Sequence, residues 1–228
     1  MKKIKYAVFF MFILSFTAYS ADFQFAIARF LINEDAVRSW IKKVDAPDEV
    51  MGFFLDFLEK STTIKVDKQI KVVTFEKIED IEKYPFIFMS SNGPLVFKDI
   101  EIKNMAEYCK RGGFIVIDDC VFEGKNSYFF ESFRELAETK IFPGTKAKLL
   151  PLSHEIYHCH FDLTAGLPYL QGEPLGGWAI SDDKGRLMIY MSPHDIHCGW
   201  NQNDIWTAKQ KEDSLKMGVN IVIYAMTH

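Results

Sequence analysis

The first rhythm in the chain is an alternation of two: Phe23, Phe25 and Ile27 stand apolar between more polar neighbours up to Phe30, the pattern of a strand with one buried face. Asp45 then offers an N-cap and Pro47 a first-turn residue, and Val50, Phe53, Phe54, Phe57 and Leu58 follow at helical spacing, predicting an amphipathic helix that packs on a sheet. A short strand is expected over Ile70 to Phe75. Pro85 to Ser90 is apolar without interruption, as in a strand covered on both faces. Asn92 and Gly93 turn the chain. Ile102, Met105, Ala106 and Cys109 make the next helical stripe, which stops at Gly112 and Gly113, where a left-handed residue can end a helix.

Phe114 to Ile117 is again a fully apolar strand, and it delivers Asp118, Asp119 and Cys120 at its carboxyl end. A helix over Tyr128 to Lys140, capped by Ser127, and a strand over Ala147 to Leu152 complete this half. Strands alternating with helices predict an α/β fold: a mostly parallel sheet with helices on both faces. After Ser153 the rhythm is lost in a loop rich in histidine, glycine and proline. It returns as a hairpin, Trp178 to Ser181 and Arg186 to Ser192, turning at Asp182 to Gly185. A polar loop from Pro193 to Trp206 leads to a last helix with Leu215, Val219, Val222 and Met226 on its buried side.

The first residues follow another logic. Lys2, Lys3 and Lys5 precede an uncharged apolar stretch from Tyr6 to Tyr19 that closes on the small residues Ala18 and Ser20. This is the order of a secretory signal, expected to be cut after Ser20, and the stretch falls short of the roughly 20 residues of a spanning helix. An uncleaved anchor is the alternative. Residues 1–20 are thus read as a signal peptide and 21–228 as one domain, periplasmic or secreted, with no spanning segment after cleavage. Cleavage removes three lysines and no acid, leaving 24 basic against 31 acidic residues and a net charge of −7, which argues against nucleic acid as a partner.

Cys109, Cys120, Cys159 and Cys198 are irregularly spaced, so no disulfide framework is expected. In an oxidising compartment one bridge among Cys120, Cys159 and Cys198 is permitted. Cys109 falls on a core face.

Several segments together resemble domain-of-unknown-function family 4159: Phe25-Ala26-Ile27-Ala28-Arg29, Tyr84-Pro85-Phe86-Ile87-Phe88, Gly112-Gly113-Phe114 running to Asp118-Asp119-Cys120, His154-Glu155-Ile156-Tyr157-His158, and Gly218 to Ala225. The resemblance implies a class I glutamine amidotransferase-like, flavodoxin-like three-layer fold and an exported or membrane-associated bacterial protein. It implies no reaction. Enzymes of that class carry a cysteine on a sharp turn after a central strand, with a histidine and a glutamate two positions apart supplied later. Cys120 is suitably placed, but Asp118 and Phe122 flank it where an elbow wants small residues, and Ile196 stands where an acid should follow His194. The standard Cys-His-Glu triad is not recognisable.

Ligands of open α/β sheets bind beyond the carboxyl ends of the strands. On that ground Asp118, Asp119, His154, His158, Asp195 and Trp200 are candidate binding residues, and Cys120 with His154 or His194 a candidate nucleophile and base. Asp119, His154, His158 and His194, with His160, Asp195 and His197 beside them, are candidate ligands of a divalent metal such as zinc. Each has a structural alternative: Asp118 and Asp119 as caps, the histidines as loop ties, Trp200 as a pin for its loop. Lacking the triad, the chain reads first as a binding module for a small molecule, peptide or envelope protein. A hydrolase using a metal ion or Cys120 with a histidine is the alternative, and a structural part of an envelope complex a third.

Overall fold

A computed structural model describes residues 22–32, 47–91, 93, 95–121, 127–201 and 203–228. The strands are β1 (Phe23–Ala28), β2 (Leu31–Ile32), β3 (Val66–Val73), β4 (Phe86–Ser91), β5 (Leu95–Val96), β6 (Phe114–Asp119), β7 (Lys148–Leu149), β8 (Trp178–Ser181) and β9 (Leu187–Ser192). The α-helices are α1 (Pro47–Ser61), α2 (Ile78–Ile81), α3 (Asp99–Lys110), α4 (Tyr128–Leu136) and α5 (Ala208–Thr227). Seven strands form one sheet in the order β3-β1-β4-β6-β9-β8-β7, and β2 pairs with β5 in a separate ribbon. From β3 to β9 every pairing is parallel, whereas β8 and β7 join antiparallel. The fold is therefore α/β with a mostly parallel seven-stranded sheet.

Alternation along the strands divides the core in two, since successive side chains point to opposite faces. Phe23, Phe25, Ile27, Phe86, Phe88, Phe114 and Val116 face a layer built from α1 and α5. Ala26, Ala28, Ile87, Met89, Ile115 and Ile117 face the other, built from α3 and α4. β4, β6 and β9 are buried at every position, which is why their sequences show no polar alternation. The edge strand β3 differs: it keeps Asp67, Lys68 and Lys71 among its residues and buries only its ends, and such charges discourage further strand pairing.

Three local expectations shift. The buried stripe of α1 is Met51, Phe54, Leu55 and Leu58, while Phe53 is 47% exposed; apolar residues occupy more than one face of this segment, so docking on the sheet chooses the stripe. Asp45, its expected cap, lies outside the described residues, as do the signal segment and Asn92. Helix α4 ends at Leu136 and passes into a wider π turn, Ala137–Ile141, and Ser127 makes no side-chain cap. The strand expected over Ala147 to Leu152 shrinks to Lys148–Leu149 and runs antiparallel to β8. It forms the sheet edge, Leu149 and Leu152 are exposed, and Pro151 has no N–H to extend the ladder. Among the described residues no helix is long and apolar enough to cross a membrane.

Candidate functional site

β4, β6 and β9 end side by side. In register, Ser90 lies beside Asp118, and Asp118 beside Ser192, so the residues just after β6 and β9 emerge together at the carboxyl edge. The chain after β9 then tightens into a 3-10 turn, Ile196–Trp200, entered through Asp195 at φ 57°. Among the described residues Asp195 is the one non-glycine in the left-handed region, a conformation costing an aspartate of order 1–3 kcal/mol. The turn brings Cys120, Asp195, His197 and Cys198 together, one ligand atom from each, all within 4.8 Å of one another. Asp195 and His197 have no solvent exposure, and the two cysteines are half-buried.

Asp118 orients the histidine. Its Oδ2 accepts the backbone N–H of His197 at 2.8 Å and the ring Nδ1–H at 2.6 Å. The other nitrogen, Nε2, is thereby the one turned to Ser90 Oγ at 3.4 Å and Cys198 Sγ at 3.9 Å. Gln171 ties the two strand ends together, its Nε2 donating to Val121 O at 2.8 Å and to Asp195 Oδ2. Asp195 Oδ1, 3.3 Å from His197 Nδ1, accepts no well-formed hydrogen bond among the described residues. Leu170 N and Gln171 N close over the turn by donating to His194 O. Gly172 lets them do so, because a Cβ there would stand 2.5 Å from Pro193 O.

Acidity within the cluster is redistributed. The neighbouring Cys198 thiol, which outweighs burial, and His197 pull Cys120 down to about 5. Cys198 moves well up, first through Cys120 beside it and then through burial. Burial raises Asp195 well above the usual carboxylate range. Burial would lower His197, but Asp118, Cys120 and Asp195 together hold it well above an ordinary imidazole. Among the described residues no lysine or arginine pairs with Asp118, Asp119 or Asp195.

The residues singled out from sequence divide. Asp118, Cys120, Asp195 and His197 meet. Asp119, on the opposite face of β6, accepts Phe130 N at 2.8 Å and so caps the start of α4; burial pushes its carboxyl up to about 8. His194 lies near the site but spends both ring nitrogens on backbone, Nδ1 donating to Pro168 O at 3.0 Å and Nε2 accepting from Gly176 N at 3.1 Å.

His154, His158 and His160 are not brought to the carboxyl edge. His154 accepts Ile156 N and stands by Tyr224, whose hydroxyl receives the first amide of β9, at the amino end of the sheet. His158 is held by Leu152 O and Asp162 within its own loop, and His160 donates to Ser61 O at the end of α1. Trp200 is core: its ring stacks on Phe54 at 4.4 Å and its N–H donates to Ser214 O. Cys198 entered the sequence reading only as a bridge candidate, and Gln171 not at all. The signal for Cys198 was its position one residue after His197; for Gln171 there was none.

Cys109 is fully buried with its thiol on Met188 O, and burial raises it to about 12. Cys159 rests on Asn220 O and rises to about 11 for the same reason.

The fold and this constellation define an α/β domain with a sulfur-, imidazole- and carboxylate-bearing centre at the carboxyl edge of its parallel strands. Residues 37–226 match the family model described as Domain of unknown function (DUF4159), and the chain belongs to that family. No curated protein matches it.

Proposed function

We propose that this is an exported, non-catalytic metal-binding module, with a divalent transition metal of the zinc type held by Cys120, Asp195, His197 and Cys198. The observation that carries the reading is the convergence of these four ligand atoms within 4.8 Å, at a buried Asp195 whose Oδ1 accepts no well-formed hydrogen bond among the described residues. Two sulfurs, an imidazole and a carboxylate are ordinary zinc donors, and four protein ligands complete a tetrahedron, the closed form of structural rather than hydrolytic sites. The surroundings fit as well. Metal-bound histidines hand their second nitrogen to a carboxylate, as His197 does to Asp118, and ligating carboxylates are themselves hydrogen-bonded, as Asp195 is by Gln171.

A hydrolase would need only Cys120, His197 and Asp118. That arrangement leaves the strain at Asp195, its unsatisfied oxygen and Cys198 without a purpose. Moreover, Cys120 continues the ladder, its N–H donating to Ser91 O at 2.8 Å, and lacks the strained backbone of a nucleophile elbow. The amidotransferase-like scaffold suggested by the family resemblance agrees with the run β3-β1-β4-β6-β9, which has the order of flavodoxin-like sheets.

The test is zinc binding by the reduced full chain. Equimolar zinc is expected by calorimetry and elemental analysis, and cobalt should give the intense thiolate charge-transfer band of a sulfur-ligated site. Asp195→Asn and Cys198→Ser should each weaken binding at least about tenfold. Unchanged binding in both variants would sink the assignment.

A further inference from the structure

The two cysteines at the centre differ from the other two. Cys109 is buried and Cys159 half-buried, and each thiol is turned onto a backbone carbonyl. Cys120 and Cys198 are half-buried, their sulfurs within 4.8 Å of each other, on segments that follow neighbouring strands. An S–S bond needs about 2.05 Å. A metal ion held between two thiolates and a bond joining the sulfurs are alternatives, because the thiolate is the metal ligand and oxidation to a disulfide removes both thiolate charges and leaves the sulfurs only weak neutral donors. Joining them would leave Asp195 and His197 as the remaining donors, half of a tetrahedron and without either thiolate charge.

We propose that the site is a redox gate: oxidation of Cys120 and Cys198 to a disulfide expels the metal, and reduction restores it. The inference rests on the metal-binding reading and adds its regulation. The oxidant is a small or protein-borne disulfide, RSSR, of the kind that maintains disulfides outside the cytoplasm. The Cys120 thiolate attacks one sulfur of RSSR, forming a mixed disulfide and releasing RS⁻. The Cys198 thiolate then attacks Cys120 Sγ, closing the intramolecular bond and releasing the second RS⁻. The two cysteines lose two electrons and RSSR gains them. The metal departs as the divalent cation, and the released thiolates take protons from water.

Gln171 and Asp118 keep the frame for the return. Both hold their partners through groups that oxidation does not touch: Gln171 through Val121 O and Asp195, Asp118 through the His197 backbone and ring. Reduction therefore meets a site whose carboxylate and imidazole are still in place.

The experiment treats zinc-loaded full-length protein with oxidised glutathione, following free zinc with a chromogenic chelator and the disulfide by intact mass and peptide mapping. The expected result is one zinc released per Cys120–Cys198 bond formed, with loss of two hydrogens, and recovery of binding on reduction. Cys198→Ser, loaded with excess zinc, should instead retain glutathione on Cys120, because the resolving thiol is missing. Zinc still bound after that disulfide has formed, or a bridge to Cys159 instead, would overturn the gate while leaving the metal site standing. Reduced protein that binds no zinc would overturn both readings.

Discussion

At the scale of the residue, Asp118 and Asp119 show how one step along a strand divides two tasks. Asp118 faces the α1–α5 layer and fixes His197; Asp119 faces the α3–α4 layer and caps α4. Sequence put both at a strand end and left open whether they bind or cap, because nothing in a dipeptide says which face meets which loop. His158 illustrates the opposite outcome. It is drawn to Leu152 O and Asp162, which favour its protonated ring and raise its pKa above that of a free imidazole, the carbonyl contributing most. Since the folded pKa exceeds the unfolded value near 6.5, the contribution to stability is complete below that pH and disappears as pH rises through the folded pKa. We expect an NMR titration of His158 to have its midpoint above about 6.5. His158→Ala should remove that part of the pH dependence of unfolding while leaving zinc affinity unchanged. A midpoint below the free value would mean that the two partners do not hold the ring in solution.

Among the elements, the central strands were the most legible. Phe114 to Ile117 and Phe86 to Met89 are apolar at every position because both faces are covered, and the hairpin around Asp182 to Gly185 announces itself by its turn residues. The edge was least legible: Ala147 to Leu152 is apolar enough for a strand, yet only two of its residues pair. The face of α1 was also hidden, since Phe53 and Phe54 are alike in sequence and the packing of α5 and the 3-10 turn distinguishes them. Phe54 is fully buried, stacks on Trp200, and approaches Gly218 so closely that a Cβ there would lie 2.5 Å from its ring. Phe54→Ala should therefore cost ~3–5 kcal/mol, while Phe53→Ala should cost under about 1 kcal/mol. Chemical denaturation of both variants decides it: equal losses would mean that the stripe is wrongly assigned.

For the whole molecule, the mostly parallel sheet followed from the alternation of strands and helices, but which side chains gather at its carboxyl edge did not. The long histidine-bearing segment after β7 begins at one end of the sheet and spends most of its histidines at the other. Position in sequence relative to a strand was a poor guide once a loop became long enough to cross the domain. At this scale the destination of the chain is also testable. Small residues at 18 and 20 lead us to expect a mature protein that begins at Ala21, which intact-mass measurement of the exported fraction would establish. Full-length chain recovered from membranes would favour the anchor instead, and would place the centre at a membrane surface rather than in free solution.

The split between Asp118 and Asp119 has a consequence for how the protein tolerates change. Because the pleat repeats every two residues, deleting one residue upstream in β6 would invert the strand beyond it, sending the site aspartate to the helix and the cap aspartate to the site. Both would remain acidic, in similar surroundings, and the sequence would still look sound on inspection. The dipeptide thus behaves like a parity bit: composition survives a single slip, meaning does not, and only a two-residue change returns each carboxylate to its own side.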